Sequence, residues 1–368
     1  MCKINPEYFE KNQYLNNRTN IYFIGRKQGV GFRHFRISHL ENRRRYESEG
    51  LRDAIDAIVQ TRWIKKADVI WVRVRPEHTT DKERVVIEKH LRRLRNKIPI
   101  INDIAIFDHY DCKDQSFQLW KKHGIPCPDF ITINENSISE NSEGNILFVS
   151  NFIEKHGKVF LRTNNETASL GMHTLTSESE QGDIEHALHL LKDRVENQKT
   201  TRSSTKIMGT EFIQSDKDSD YQDLYRVHTL FGNILSFYAV TSKKEIFHNV
   251  DMDERDMNRF IDLNEDLCNK IDSLKKIVLN AVKALNCNLG AIEFFLVNEK
   301  PIFIELNPMW GGHASIHGFG NEKMQTYLIE NRKILEKRIP NIYNFMDRRA
   351  YYKKLYEFIH KHISSLKD

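Results

Sequence analysis

Long apolar runs are missing from this 368-residue chain, and no stretch approaches the length of a bilayer-spanning helix. The first residues, MCKINPEYFEKN, lack the apolar core of a signal peptide, so a cytoplasmic protein with no membrane attachment is expected. Cysteine is scarce: Cys2, Cys112, Cys127, Cys268 and Cys287 show neither a paired framework nor metal-site spacing. Disulfides and a zinc site are therefore not expected, and the thiols read as reduced. The early glycines Gly25, Gly29 and Gly31 do not form the GxGxxG dinucleotide fingerprint, and no helix opens directly after them. That excludes a Rossmann oxidoreductase. A Ser/His/Asp or Cys/His nucleophile motif is missing too. The net charge of +5 neither requires nor excludes an anionic partner.

What is present is an apolar fraction of 39% and a charged fraction of 29%, the composition of a soluble globular protein. The length suits two or three domains. The fold class expected is α/β (α+β). Near the start, strands at Ile21–Gly25, Val69–Val74 and Ile98–Ile101 alternate with helices at Asn42–Lys66 and Asp81–Asn96, the pattern of a small parallel α/β domain. The loop and helix after the first strand are dense in cations: Arg26, Lys27, Arg33, Arg36, Arg43, Arg44 and Arg45. Arginine forks suit carboxylates and phosphates, and Arg33 and Arg36 are candidates for an anionic substrate; a solvated helix face fits the same run. The segment matches no nucleic-acid-binding module, so nucleic acid is not the expected partner.

Leu289 to Gly312, LGAIEFFLVNEKPIFIELNPMWGG, carries the densest chemistry. Apolar runs at Ala291–Val297 and Pro301–Leu306 flank the turn-forming Asn298-Glu299-Lys300-Pro301, which predicts a β-hairpin. Each strand holds one carboxylate, Glu293 and Glu305, and Asn307 lies two residues beyond the second, on its face. A buried carboxylate pair needs a cation or proton between its members, and these hard oxygen ligands suit Mg²⁺. Two edge glutamates facing solvent, with an ordinary turn at Asn307-Pro308, fit the same spacing. Upstream, an apolar stripe over 253–286 (Leu267, Ile271, Leu274, Ile277, Val278, Ala281, Val282, Leu285) reads as a core helix.

From Asn102 onward the chain resembles the ATP-grasp superfamily, of the carboxylate-amine ligase type that includes glutathione synthetase and D-alanine ligases. The pieces are Asn102 and Lys113 ahead of a helix closed by Gly124-Ile125-Pro126-Cys127-Pro128, the strand KVFLRT with Arg162, the KIMGTEFIQ strand, the hairpin around Phe231-Gly232-Asn233, and the Glu293, Glu305, Asn307 spacing. The resemblance implies a small N-terminal parallel α/β pre-ATP-grasp domain (1–101), a two-subdomain ATP-grasp domain (102–325, divided at 205/206) and a helical extension (326–368). It implies ATP and Mg²⁺ as cofactors. Lys113, Arg162 and Gly171 would meet the phosphates, and Glu211, Phe212 and Ile213 the adenine. Glu293, Glu305 and Asn307 would hold the metal, with Arg226 and Arg162 at the transferring phosphoryl group. Trp310, Gly311, Gly312, His313 and Ser315 would contact the acyl substrate. Two departures stand out: an arginine replaces the family's second phosphate lysine at 162, and the flap NNETASLGMHTL keeps a single glycine.

The activity implied is an ATP-dependent ligase joining a small-molecule or peptide carboxylate to an amine or thiol through an acyl phosphate. A small-molecule kinase on the same fold, a non-catalytic nucleotide-binding module and a polyanion binder stay open. A homodimer is the base-rate expectation. The basic, amphipathic tail 323–368 is expected to pack across the domain or a partner subunit.

Overall fold

The computed structural model describes residues 21–27, 30–36, 68–73, 80–92, 94–165, 171–200, 202–215, 220–248, 250–308 and 319–366. The N-terminal sheet contains β1 (Ile21–Lys27), β2 (Val30–Arg36), β3 (Val69–Arg73) and β4 (Ile100–Ile101), in the order β2-β1-β3-β4, with helix α1 at Asp81–Leu91. β1, β3 and β4 run parallel, as the alternation predicts. β2 pairs antiparallel with β1 where a loop was expected. Its arginines masked the β propensity of Val30, Phe32 and Phe35. The helix expected over 42–66 lies outside the described residues.

β3 is buried on both faces. Ile70 and Val72 enter one apolar cluster with residues of the C-terminal sheet, whereas Val69 and Trp71 enter another with the C-terminal helices. Two-residue alternation thus ties the N-terminal sheet into two cores.

A 3-10 turn (Ile104–Ile106), α2 (Asp108–Asp111) and α3 (Lys113–Lys122) follow, and Gly124, at φ +66°, closes the helical stretch. The central sheet has the order β5-β8-β6-β7, from β5 (Phe130–Ile133), β6 (Lys158–Thr163), β7 (His173–Thr176) and β8 (Ile207–Glu211), all antiparallel. The polar stretch 134–145 contains α4 (Glu135–Glu140) and the first turn of α5 (Ser142–His156). Its asparagines are helix caps: Asn134 accepts from the Asn136 amide and Asn141 from the Gly144 amide. Helix α6 (Gln181–Lys199) completes the layer over this sheet.

The C-terminal sheet has the order β10-β9-β11-β12, from β9 (Gln222–Leu230), β10 (Asn233–Ser242), β11 (Leu289–Val297) and β12 (Lys300–Asn307). Helix α7 (Met257–Ala284) buries the expected stripe in the core that it shares with α3 and the C-terminal sheet, where the Trp120 indole of α3 also donates to the Ala281 carbonyl at 2.9 Å. Asn264 of α7 bonds both the amide and the carbonyl of Ala239 at 2.9 Å, covering an edge strand. Helices α8 (Glu322–Glu330), α9 (Arg332–Arg338), α10 (Pro340–Met346) and α11 (Arg348–Ser365) pack on β10 and the start of α7, so the tail lies across its own domain. Among the described residues no helix is long and apolar enough to cross a membrane.

Candidate active site

The site grows from two hairpins built alike. Asn298 and Glu299 both have positive φ, 49° and 62°, as do Phe231 and Gly232 at 48° and 71°. Such two-residue turns match the twist of paired strands. Each hairpin then shifts register by one residue. In β11–β12 the pairing passes from Phe294↔Phe303 to Glu293↔Glu305, leaving Ile304 as an extra residue. In β9–β10 it passes from Thr229↔Ile234 to His228↔Ser236, leaving Leu235 as the extra one. These are β-bulges, each moving the side chains beyond it by one position.

A transverse row follows across one face of the sheet: Tyr238 opposite Arg226, Arg226 opposite Glu293, Glu293 opposite Glu305. The next row along the same face holds Ser236, His228, Ala291 and Asn307. Asn307 is diagonal to Glu293, and its Nδ2 donates to Glu293 Oε1 at 3.2 Å. The hairpin therefore gathers Glu293, Glu305 and Asn307 on one face, turned inward.

Cations converge on this row. Lys113, the first residue of α3 and 9% exposed at its side chain, places Nζ 2.7 Å from Glu305 Oε1. Arg226 places a guanidinium nitrogen 3.1 Å from Glu293 Oε1. The Arg162 charge on β6 acts on both Lys113 and Glu305. Burial alone would raise the Glu305 carboxyl, but Lys113, Arg162 and Arg226 together hold it at about 2. Glu293 is raised, first by burial and then by the Glu305 charge, against the pull of Arg226 and Lys113. Burial also lowers Lys113, with Glu305 opposing. Two carboxylates and a carboxamide oxygen on one face form a hard donor set. These residues fit Mg²⁺.

Buried amides hold these elements in place. Asn102 Nδ2 donates to the Leu289 and Pro308 carbonyls at 2.6 and 3.0 Å, while its Oδ1 accepts from the Asn288 and Leu289 amides at 2.9 Å. It thereby fastens the end of β4 to the start of β11 and to the residue after Asn307. Asn164, just past β6, accepts the Lys113 amide on its carbonyl at 2.8 Å. Asp114, Asn164 and Tyr238 escaped the sequence reading; a buried polar residue has no signature until its partners are known.

No protein-family model matches the chain, and no curated protein matches it in sequence. In structure it is similar to the D-alanine–D-alanine ligase from Bacillus anthracis, at 13% identity over 87% of this chain and 86% of that one, with a TM-score of 0.50. It is also similar to the D-alanine–D-alanine ligase from Coxiella burnetii (13% identity, 82% of this chain and 71% of that one, TM-score 0.46) and to the ATP-grasp ligase PsnB complexed with minimal precursor (11% identity, 81% and 79%, TM-score 0.47). The fold is ATP-grasp.

Within this ATP-grasp fold the other expected residues are distributed as follows. The strand expected over 206–214 ends at Glu211, so Phe212 and Ile213 lie just beyond β8. The Glu211 carboxylate faces His156 Nδ1 at 3.2 Å, and Lys158 Nζ stands 4.5 Å from the centre of the Phe212 ring. Gly171 has φ +63°, a backbone conformation that favours glycine, and a Cβ there would also displace the Arg194 side chain, 2.7 Å away. Trp310, Gly311, Gly312, His313 and Ser315 lie outside the described residues, as do the side chains of Arg33 and Arg36 on β2. Among the described residues, Asp108–Asp111–Cys112 and Asp129–His156–Glu211 also form ligand-like groupings. Arg84 and Arg202 neutralise the first, and Lys121 and Lys155 the second.

Proposed function

We propose that this chain is an ATP-dependent, Mg²⁺-using ligase that activates a substrate carboxylate as an acyl phosphate and joins it to an amine. The observation carrying this reading is the convergence of Lys113, Arg162 and Arg226 on Glu293, Glu305 and Asn307, from five elements spread over almost 200 residues. ATP and a carboxylate are both anionic, so catalysis would rest on positioning and charge neutralisation. Bound Mg²⁺ on Glu293, Glu305 and Asn307 would supply neutralising charge at the phosphate oxygens.

Lys113 and Arg162 would hold the phosphates, with the backbone at Gly171 beside them. Glu211, Phe212 and Ile213 would take the adenine, and Phe212 offers a ring surface for it. Arg226, held between Glu293 and Tyr238, would face the transferring phosphoryl group. The carboxylate oxygen attacks the γ-phosphorus and ADP leaves; the amine then attacks the acyl carbon and inorganic phosphate leaves, the amine's proton passing to solvent. No side chain needs to form a covalent bond. Trp310 to Ser315, directly after the metal-binding strand, would meet a small-molecule or peptide carboxylate, and Arg33 and Arg36 an additional anionic group on it.

The test has two stages. Thermal stability is measured with ATP and Mg²⁺, alone and together, on the wild type and on Glu305→Gln; a rise that needs both ligands and vanishes in the variant supports the site. ADP release is then measured across carboxylate and amine pools. Release that depends on an amine supports a ligase, release with a hydroxyl acceptor alone makes the protein a kinase, and no stabilisation by ATP overturns the nucleotide reading.

A further inference from the structure

We infer that the buried pair Asp114–Asn164 is a positioning device that sets Lys113 and Arg162 at one spacing, so that the protein recognises the triphosphate rather than the nucleoside. This rests on the nucleotide-site reading above.

The two residues are 1% and 0% exposed. Asn164 Nδ2 donates to Asp114 Oδ1 at 2.8 Å and to the Ser204 carbonyl at 3.0 Å, and its Oδ1 accepts from the Lys206 amide at 2.9 Å. Its own amide donates to the Lys206 carbonyl at 3.0 Å, and its carbonyl accepts from the Lys113 amide at 2.8 Å. That last bond takes up an amide which, at the first position of a helix, has no partner within it. Asp114 also stands 3.6 Å from Lys206 Nζ, so its buried charge is compensated.

Each member lies within two residues of one cation. Asp114 follows Lys113 in the first turn of α3, and Asn164 lies two residues past Arg162 at the end of β6. One amide thus clamps the start of α3 to the end of β6 and to the strand-leading segment at Ser204–Lys206. Lys113 Nζ is tethered to Glu305 at its far end, so its backbone anchor decides where the ammonium can reach when phosphate competes for it. A clamp that merely supported the fold would affect every ligand alike; one that spaces the cations affects phosphate recognition selectively.

The experiment measures equilibrium binding of ATP, ADP and AMP, with Mg²⁺, to the full chain. Asn164→Asp, which sets a second carboxylate against Asp114, is expected to weaken ATP at least about tenfold while AMP changes less than about twofold, as when a supporting hydrogen bond behind a site is lost. The exchanged pair Asp114→Asn with Asn164→Asp restores a donor between the two but not the bond to the Ser204 carbonyl, and is expected to recover ATP affinity at least about threefold over Asn164→Asp alone. Asn164→Ser removes the Asp114 contact without adding charge, and gives the same selective loss where the charged variant fails to fold. Equal loss for ATP and AMP, no loss in either variant, or no recovery in the exchanged pair overturns the inference. Wild-type protein that prefers ATP over AMP, with variants that do so equally, overturns it alone. Wild-type protein that binds no nucleotide overturns the site reading and the inference with it.

Discussion

Glu293 and Glu305 stand directly opposite each other across the β11–β12 hairpin because Ile304 is an extra residue in β12. Between the turn and the bulge, paired positions follow the register Val297↔Lys300 to Phe294↔Phe303; continued without a bulge, that register would set Ile304 opposite Glu293. Glu305 would then fall on the other face of the sheet. The bulge is thus what sets the two strand glutamates side by side on one face of the sheet.

The two glutamates are not equivalent without metal. Glu305 is held near 2 by Lys113, whereas Glu293 is raised by burial despite Arg226. Glu305→Gln leaves the buried Lys113 ammonium without its counter-charge and is expected to cost about 2–3 kcal/mol at neutral pH. Glu293→Gln removes the carboxylate 3.1 Å from Arg226, but it replaces a group whose ionised form the fold disfavours and leaves Glu305 acting on the same guanidinium, so it is expected to cost less, about 1 kcal/mol. Urea unfolding in EDTA at pH 7 measures the difference; equal losses would contradict it.

Asn102 is expected to matter more to the fold than its single side chain suggests. Asn102→Ala strips partners from two amides and two carbonyls at the β4–β11–β12 junction. Unpaired buried groups cost about 1–3 kcal/mol each, partly relieved by water, so a loss of about 3 kcal/mol is expected in equilibrium unfolding.

Glu299 has φ 62° in the hairpin turn, a conformation that favours glycine. Glu299→Gly is expected to stabilise the protein by about 1 kcal/mol, a rise of a few degrees in Tm. The Lys270 contact that is lost is exposed, and offsets little of this.

Acid sensitivity is expected at Asp129. Hydrogen bonds from Lys121 and then Lys155 hold its carboxyl well below its ordinary 3.8, against the effect of burial. A depressed carboxyl contributes stability that is fully present above its unfolded value and is lost as pH falls through the folded one. Wild type should therefore exceed Asp129→Asn by about 1 kcal/mol at pH 7, with the gap closing as pH drops below 3.8. Paired unfolding curves at pH 7 and below pH 3 check this; a constant gap would contradict it.

The sequence by itself determined the elements whose periodicity is strong: β1, β3, β6, both C-terminal hairpins and the stripe of α7. It also placed Glu305 and Asn307 on one face of a hairpin strand with Glu293 on the facing strand, because residue type and spacing are written along the chain, and side chains alternate along any strand. Tertiary structure decided the rest. β2 and the early end of β8 at Glu211 were misread, and the caps at Asn134 and Asn141 became visible only in the fold, because arginine density, polar composition and an EFI triplet do not report which backbone groups pair. The Ile304 bulge could not be read, since an extra residue is recognisable only against its partner strand. Nor could the reach of Lys113 to Glu305 across 192 positions, or the closure of Asn164 on Asp114 across 50, be read from the chain. Spacing along a chain constrains only the face on which a residue lies; which charges meet there depends on register and on the packing of distant segments, and those are set when the two sheets and α3 come together.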